Sequence, residues 1–212
     1  MSDKYLSLVE ETVSINAINK IGTKKFVRLF IYGALMTKEV FCERLAGEFE
    51  DEGIDIDAEY DSLFCGLYKM PNRKFVFNKE RSGVGVGSLI VGDSAEYVVG
   101  AVMLVPKSAL RPGSDLMISE GAVSYDVFDA GTHYTLSTNA SMNLEPISNG
   151  GFDLMPILAH QSVFYFIAGT KHTSMELTPN RSYQASIVAS LQGLQSKGWQ
   201  ISSHYINYIK SL

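Results

Sequence analysis

The sequence predicts an α/β chain of the α+β type, built as a small mixed β-barrel with flanking helices. Short β-branched and aromatic segments follow one another between residues 62 and 105, with turn signals such as Pro71-Asn72 between them. Apolar residues recur at helical spacing towards both ends of the chain. Hydrophobic residues make up 46% of the 212 residues, which is enough for one continuous core.

The chain divides into a short extension and one domain. Apolar residues at near-helical spacing over residues 5–21 predict a helix, so residues 1–25 are expected to be an N-terminal helical extension. Residues 26–212 contain no linker or internal repeat and are expected to form a single domain. Its last part is expected to contain one strand and two helices, over Val163–Ala168, Ser182–Leu194 and His204–Ile209.

A strand, a glycine loop and a helix open the main domain. Residues Phe26–Tyr32 are β-branched and aromatic, and their apolar character predicts a strand buried on both faces. Gly33 ends this strand. Thr37 is expected to be the N-cap of a helix over Lys38–Ala46, with Gly47 as its stop. In such a loop the backbone N–H groups converge on one point.

An acidic stretch follows over residues 48–61. Its apolar residues alternate with acids, which predicts a strand with one solvated face. The alternating residues are Ile54, Ile56, Ala58 and Tyr60. A calcium loop is rejected because Tyr60 and Gly66 stand where such a loop needs glycine and glutamate.

The central part of the chain is predicted to be a series of strands. They are expected over Leu63–Lys69, Phe75–Asn78, Gly87–Val91, Tyr97–Val105 and, later, from Tyr125 to Phe128. Gly83, Gly85 and Gly87 do not form a dinucleotide loop, because the third glycine of that motif is missing and a strand follows. We expect them to let the backbone pass close to another element. Residues 141–160 are predicted to be an irregular excursion and a candidate lid.

Charge and composition exclude several classes of function. The net charge of −5 argues against a nucleic-acid-binding surface, and no apolar run is long enough to span a membrane. The N-terminus does not resemble a signal peptide, and the two cysteines form no disulfide framework, so the expected compartment is the reducing cytoplasm. The four histidines lack metal-binding spacing, so no metal is expected. A homodimer is compatible with the sequence, which does not give the oligomeric state.

Two short segments could carry chemistry. Backbone donors of the loop over residues 32–35 could hold a carboxylate or an oxyanion, although an ordinary strand-to-helix turn would have the same sequence. Glu120 precedes Gly121 in an apolar stretch, and Tyr125 follows. A desolvated glutamate has a raised pKa and is a competent general base, but an exposed turn glutamate fits the pattern too.

Four segments, taken in order, resemble the γ-glutamylcyclotransferase (AIG2-like) family. They are Phe30–Met36 (FIYGALM), Val98–Val102 (VVGAV), Ser119–Tyr125 (SEGAVSY) and Pro179–Tyr183 (PNRSY). The resemblance extends in outline over residues 26–212 and implies a γ-glutamylcyclotransferase-like fold. It also implies cleavage of a γ-glutamyl amide by internal cyclisation, which gives 5-oxoproline and releases an amine or amino acid, as in glutathione metabolism.

The resemblance also implies the roles of individual residues. Glu120 would be the catalytic base. The substrate would be bound by Tyr32, Gly33, Ala34, Leu35, Tyr125 and Tyr165. This chemistry needs no metal and no organic cofactor, and the partner is a small γ-glutamyl compound. Arg73, Lys74 and Arg81 are candidates for binding a carboxylate on the leaving half of the substrate.

Two alternatives remain at the level of sequence. The same fold could be a non-catalytic module that binds a carboxylate metabolite or another protein. An unrelated hydrolase with Cys42 or Cys65 as nucleophile is the other alternative, although both thiols lie in apolar surroundings that favour inert, buried cysteines.

Overall fold

The computed structural model describes most of the main domain. The described residues are 26–81, 84–110, 114–116, 134–138, 143–150, 154–158, 163–168 and 177–212. The predicted N-terminal helix, the strand predicted from Tyr125 to Phe128, and Glu120 and Gly83 all lie outside them.

Eight strands and four helices make up the described part of the chain. The strands are β1 (Phe26–Ile31), β2 (Phe64–Pro71), β3 (Arg73–Arg81), β4 (Val84–Val91), β5 (Tyr97–Pro106), β6 (Tyr134–Thr138), β7 (Glu145–Pro146) and β8 (Phe164–Ala168). The helices are α1 (Lys38–Glu50), α2 (Ile56–Leu63), α3 (Arg181–Ser196) and α4 (Ser203–Ser211). Short 3₁₀ turns occupy Gly33–Met36 and Lys107–Leu110.

The strands form a mixed six-stranded sheet and a separate hairpin. The order in the sheet is β6-β8-β1-β5-β2-β7, and β3 pairs with β4. Strand β1 is antiparallel to β5 and parallel to β8. The hairpin lies against the sheet, with β4 close to β8 and β3 close to β5, and both contribute to one hydrophobic core. The α+β class with a mixed sheet and flanking helices is therefore confirmed.

Six of the predicted strands are found close to their expected bounds, as β1 to β5 and β8. Strand β1 is buried along its whole length, as its apolar sequence predicts, and Arg28 within it is also only 2% exposed. The strand predicted over Val163–Ala168 is β8, and the two C-terminal helices are α3 and α4. None of the described helices has the length and apolar character that crossing a membrane requires.

The expected end of helix α1 is wrong. The helix continues through Gly47 to Glu50, because its buried residues Phe41, Leu45 and Phe49 keep helical spacing across the glycine. The glycine that ends the helix is Gly53, whose φ is +71° and whose N–H donates to the carbonyl of Glu50 over 2.8 Å. Thr37 occupies the N-cap position, but its side chain makes no capping hydrogen bond.

The strand expected in the acidic stretch is also wrong, since helix α2 occupies Ile56–Leu63. The carboxylate of Asp55 accepts hydrogen bonds from the N–H groups of Asp57 and Ala58, at 3.1 and 3.2 Å, and so caps the helix. Ile56 and Leu63 are buried at helical spacing. Acids in the first turn also favour the helix through its dipole.

The described parts of segment 141–160 are attached to the sheet. Strand β7 pairs with β2, and the backbone of Leu144 pairs with that of Ile157. The side chains of Leu144, Ile147 and Ile157 are buried. This segment therefore contributes to the core beside the edge of the sheet.

Candidate functional site

The loop after β1 is a tight turn whose shape depends on Gly33. Tyr32 is extended, with φ −143° and ψ 172°, and Gly33 then takes φ +63°, in the left-handed region that favours glycine. The 3₁₀ turn Gly33–Met36 follows at once. Both the N–H and the Oγ1 of Thr37 donate to the carbonyl of Ala34, at 3.0 and 2.7 Å, and they fix the end of the turn.

The start of this turn offers backbone donors. In a 3₁₀ turn each N–H donates to the carbonyl three residues earlier, so the first N–H groups of the turn have no partner within it. Here these are the N–H groups of Gly33 and Ala34. Ala34 is also the turn's only partly exposed residue, since Gly33, Leu35 and Met36 are buried. The donors therefore lie where a carboxylate or an oxyanion could bind.

Tyr183 reaches this turn from the first turn of helix α3. Its hydroxyl lies 2.7 Å from the position that a Cβ atom on Gly33 would take, and its Cζ lies 3.7 Å from it. The phenol therefore occupies the space that any larger residue at position 33 would need. Two independent constraints, the positive φ and this contact, require glycine there.

Aromatic rings of the hairpin form a wall beside the turn. The ring of Phe75 is 6.1 Å from that of Tyr32, edge to face, and Phe77 is 6.0 Å from Tyr183. A Cβ on Gly87 would overlap the ring of Phe75 and come within 3.1 Å of the Tyr183 hydroxyl. The expected close backbone approach is thus confirmed at Gly87, which lets Phe75 and Tyr183 meet at the turn.

Local hydrogen bonds hold the Tyr183 backbone in place. The side chain of Asn180 caps helix α3 and accepts from the N–H of Tyr183 at 3.1 Å. The N–H of Asn180 donates to the carbonyl of Gly85 at 2.9 Å, and the N–H of Gly85 donates to Thr178 at 2.8 Å. The start of α3 is therefore tied to strand β4.

Tyr165 is buried on β8 and touches Arg73 at the start of β3. The Nη2 of Arg73 donates to the Tyr165 hydroxyl at 3.2 Å, and the guanidinium lies 6.0 Å from the centre of the tyrosine ring. Phe164 pairs in parallel with Leu29 of β1, so Tyr165 lies on the same face of the sheet as Tyr32. Tyr165 and the turn thus border the same side of the sheet.

The structure brings together some of the site residues predicted from the sequence. Tyr32, Gly33, Ala34 and Leu35 form one turn, in which the side chains of Tyr32 and Leu35 belong to the core. Glu120 and Tyr125 lie outside the described residues. Tyr183 was absent from the predicted site, although the segment Pro179–Tyr183 was part of the family resemblance and was the available signal.

The two cysteines are buried and free, and they do not lie at the turn. Burial raises the pKa of Cys42 to about 11 and that of Cys65 to about 12. A cysteine nucleophile reacts as the thiolate, which both sites disfavour. Within the described residues, no group of three or more His, Cys, Asp or Glu is arranged to hold a metal ion.

Comparison with known proteins finds similarity in structure only. No protein-family model and no curated protein matches the sequence. A solved γ-glutamyl cyclotransferase superposes with a TM-score of 0.58 at 13% identity, over 89% of this chain and 88% of the other. An uncharacterised protein from Homo sapiens gives 0.56 at 14% identity, over 89% of each chain.

YkqA from Bacillus subtilis gives a TM-score of 0.58 at 18% identity and covers 89% of this chain. The present chain spans only 54% of YkqA, which is about half of its length. At such low identities the likeness concerns the fold alone. The chain has the γ-glutamyl cyclotransferase fold, which confirms the fold that the sequence predicts.

Proposed function

We propose that this protein is a γ-glutamyl cyclotransferase-type enzyme, which converts a γ-glutamyl amide into 5-oxoproline and a free amine. The observation that carries the proposal is the turn at Gly33, closed on one side by Tyr183, in a chain with this fold. The turn presents the N–H groups of Gly33 and Ala34 beside two tyrosines. Backbone donors and phenol hydroxyls suit a small substrate rich in carboxylate and carbonyl oxygens.

The reaction joins two ends of the same substrate. The α-amine of the glutamyl group attacks the side-chain amide carbonyl, forms a C–N bond and closes a five-membered ring. A tetrahedral intermediate with an oxyanion results, and its collapse breaks the original C–N bond. The ring nitrogen gives up its extra proton and the leaving amine takes one up, so the products are 5-oxoproline and the free amine. Because both reacting groups belong to one molecule, holding it in a curled conformation supplies much of the acceleration.

A base must first remove a proton from the α-ammonium group, which is not nucleophilic. We assign this role to Glu120, on the basis of the segment Ser119–Tyr125 and its resemblance to the family. A carboxylate is an effective base for this step only where partial burial raises its pKa towards neutrality. The same carboxylic acid can then return the proton to the leaving amine.

The turn would stabilise the charge that develops on the carbonyl oxygen. Preorganised backbone N–H groups contribute on the order of 3 kcal/mol each when they point at such an oxyanion. The N–H groups of Gly33 and Ala34 are assigned to this task or to the substrate α-carboxylate. Tyr32, Tyr183 and Tyr165 would line the substrate pocket, together with Tyr125.

The test is release of 5-oxoproline from a panel of γ-glutamyl compounds by the wild type and Glu120→Gln. We expect release by the wild type and a loss of at least about 100-fold in Glu120→Gln, typical of removing a general base. Glu145→Gln is the matched control, because Glu145 is exposed on β7 and should keep full activity.

Two outcomes would contradict the proposal. Full activity in Glu120→Gln would show that Glu120 is not the general base. No release by folded wild-type protein from any compound would reject the activity. In that case, a rise in melting temperature with the same compounds would favour the non-catalytic binding module instead.

A further inference from the structure

A cavity of about 170 Å³ lies between helix α4, the start of β3 and the start of β5. Lys74, which lines the cavity, and Phe75, which borders the turn at Gly33, are successive residues of β3. Successive side chains of a strand point to opposite faces, so the cavity lies on the side of the hairpin away from the turn. It is therefore separate from the site that the proposed function uses.

Three tyrosine rings form most of the wall of this cavity, those of Tyr97, Tyr205 and Tyr208. The rings of Tyr97 and Tyr205 stack with 5.5 Å between their centres, and the ring of Tyr208 lies tilted against that of Tyr205 at 6.3 Å. The Tyr208 hydroxyl donates to the carbonyl of Phe75 at 2.6 Å, which ties this ring to β3. A further aromatic ring would extend the cluster in edge-to-face or offset contact, which stabilises beyond the burial of apolar area.

The charges around the cavity are balanced within the protein. The Nζ of Lys74 pairs with one oxygen of Glu96 at 2.6 Å, and the other oxygen accepts from the N–H of Asp93 at 3.0 Å. The hydrogen bond between Lys74 and Glu96 raises the pKa of the lysine and lowers that of the glutamate, so both stay charged at neutral pH. The Lys69 ammonium lies 4.9 Å from the centre of the Tyr97 ring and already makes the cation–π contact there. An anion would therefore meet Glu96, and a cation would meet two lysines.

The size of the cavity limits a ligand to one ring. A cavity of about 150 Å³ lined by apolar side chains is large enough to hold benzene. The present cavity of about 170 Å³ can therefore hold one six-membered ring with a small substituent. Ala95 and His204 line it and are exposed, so a ligand can enter from solvent.

We propose that this cavity binds a neutral aromatic molecule of one ring, such as a phenol. The tyrosine rings supply the contacts with its face and edge, and the Lys74–Glu96 pair leaves no unbalanced charge between these two lining residues. His204 offers a polar partner for a single hydroxyl group. This inference does not rest on the proposed function, so the loss of one leaves the other standing.

The test is a titration of the full chain at pH 8 with phenol, benzoate, benzylamine and cyclohexanol, followed by the amide NMR spectrum. We expect phenol to bind with a Kd on the order of 1 mM, as a ligand of so few atoms allows. Benzoate and benzylamine should bind at least about 10-fold more weakly, because each carries a charge that the cavity does not match. Cyclohexanol should bind at least about threefold more weakly, because it lacks the aromatic contact.

Two blocking variants place the binding in this cavity. Ala95→Trp and His204→Trp each put a large ring at an exposed lining position, and each should weaken the binding of phenol at least about 10-fold. Ser94→Trp is the matched control and should keep wild-type affinity, because Ser94 is exposed beside Ala95 but does not line the cavity. Tyr208→Phe should also keep it, because the ring remains.

Four results would overturn the proposal. The first is no saturable binding of phenol up to about 10 mM. The second is wild-type affinity for phenol in both blocking variants. Tighter binding of benzoate or benzylamine than of phenol would show a site for a charged ligand instead. Equal binding of cyclohexanol and phenol would show an apolar cavity without preference for an aromatic ring.

Discussion

The hydroxyl of Tyr183 lies 2.7 Å from the place that a side chain on Gly33 would fill, although the two residues belong to opposite ends of the domain. The contact joins helix α3 to the loop after β1. It makes glycine at position 33 a requirement of tertiary structure as well as of backbone conformation. The two requirements can be separated by mutation.

Gly33→Ala should destabilise the protein more than Gly53→Ala. Both glycines have positive φ, +63° and +71°, so each substitution costs about 1–2 kcal/mol in backbone strain. Nothing lies within 4 Å of a Cβ at Gly53, whereas one at Gly33 meets the Tyr183 hydroxyl. That collision should add about 1–3 kcal/mol, as overpacking does. Urea unfolding of the two variants measures the difference.

The background variant Tyr183→Phe tests the cause of this extra cost. Without the hydroxyl, the nearest atom of residue 183 is the ring carbon at 3.7 Å, which is an ordinary contact. The extra cost of Gly33→Ala should therefore largely disappear in Tyr183→Phe, as a coupling energy in a double-mutant cycle. Additive effects of the two substitutions would show that the contact does not constrain position 33.

The cap of helix α3 should matter for activity as well as for stability. Asn180→Ala and Asp55→Ala both remove the N-cap side chain of a helix, so each should lower the free energy of unfolding by about 1 kcal/mol. Only Asn180 holds the turn that carries Tyr183, through its 3.1 Å hydrogen bond to the Tyr183 N–H. We therefore expect 5-oxoproline release to fall in Asn180→Ala and to persist in Asp55→Ala.

The comparison needs both variants at a temperature where both are folded. An equal loss of activity in the two variants would indicate a general effect of stability. Unchanged activity in Asn180→Ala would show that activity does not depend on the hydrogen bond by which Asn180 positions Tyr183.

Local pattern is sufficient to predict strands β1 to β5 and β8 and the turn at Gly33. Strand β1, the glycine after it and helix α1 follow one another in the sequence, so their order alone predicts backbone donors at one point. The contact of Tyr183 with Gly33 could not be read in this way. It depends on how the start of α3 is tied to Gly85 of β4, which is a contact between segments distant in sequence.

The two errors in the helices also have a physical explanation. The residues Ile56, Ala58 and Tyr60 alternate with acids, a pattern that predicts a strand. The Asp55 side chain instead caps the first turn at this point and stabilises a helix. Glycine commonly follows helices, so the sequence alone favours Gly47 as a stop. A carboxylate oxygen of Asp115 lies 2.9 Å from the place a Cβ on Gly47 would take, so Gly47 lies inside the helix where that side chain comes close. The Asp55 cap is a local signal that the sequence contains, whereas the approach of Asp115 to Gly47 is visible only in the tertiary structure.

The buried thiols predict how stability changes with pH. Burial raises the pKa of Cys65 from 9.0 to about 12 and that of Cys42 from 9.0 to about 11. Above about pH 9 the unfolded chain therefore releases these protons while the folded chain retains them. The two protonated thiols therefore contribute fully to the free energy of unfolding below about pH 9. This contribution is lost as the pH rises from about 9 towards the pKa values of the folded protein. Urea unfolding between pH 7 and pH 10.5 should show this decline.

Cys65→Ala isolates the contribution of the fully buried thiol. The variant should be less stable than the wild type at pH 7, because it leaves a small cavity beside Leu67 and its neighbours in the core. Its stability should then fall less steeply above pH 9, since one of the protons is gone. Parallel pH profiles for the two proteins would contradict the raised pKa.

Thiol alkylation at pH 8 should likewise be slow in the folded protein and rapid in denaturant, because the thiolate forms readily only in the unfolded chain.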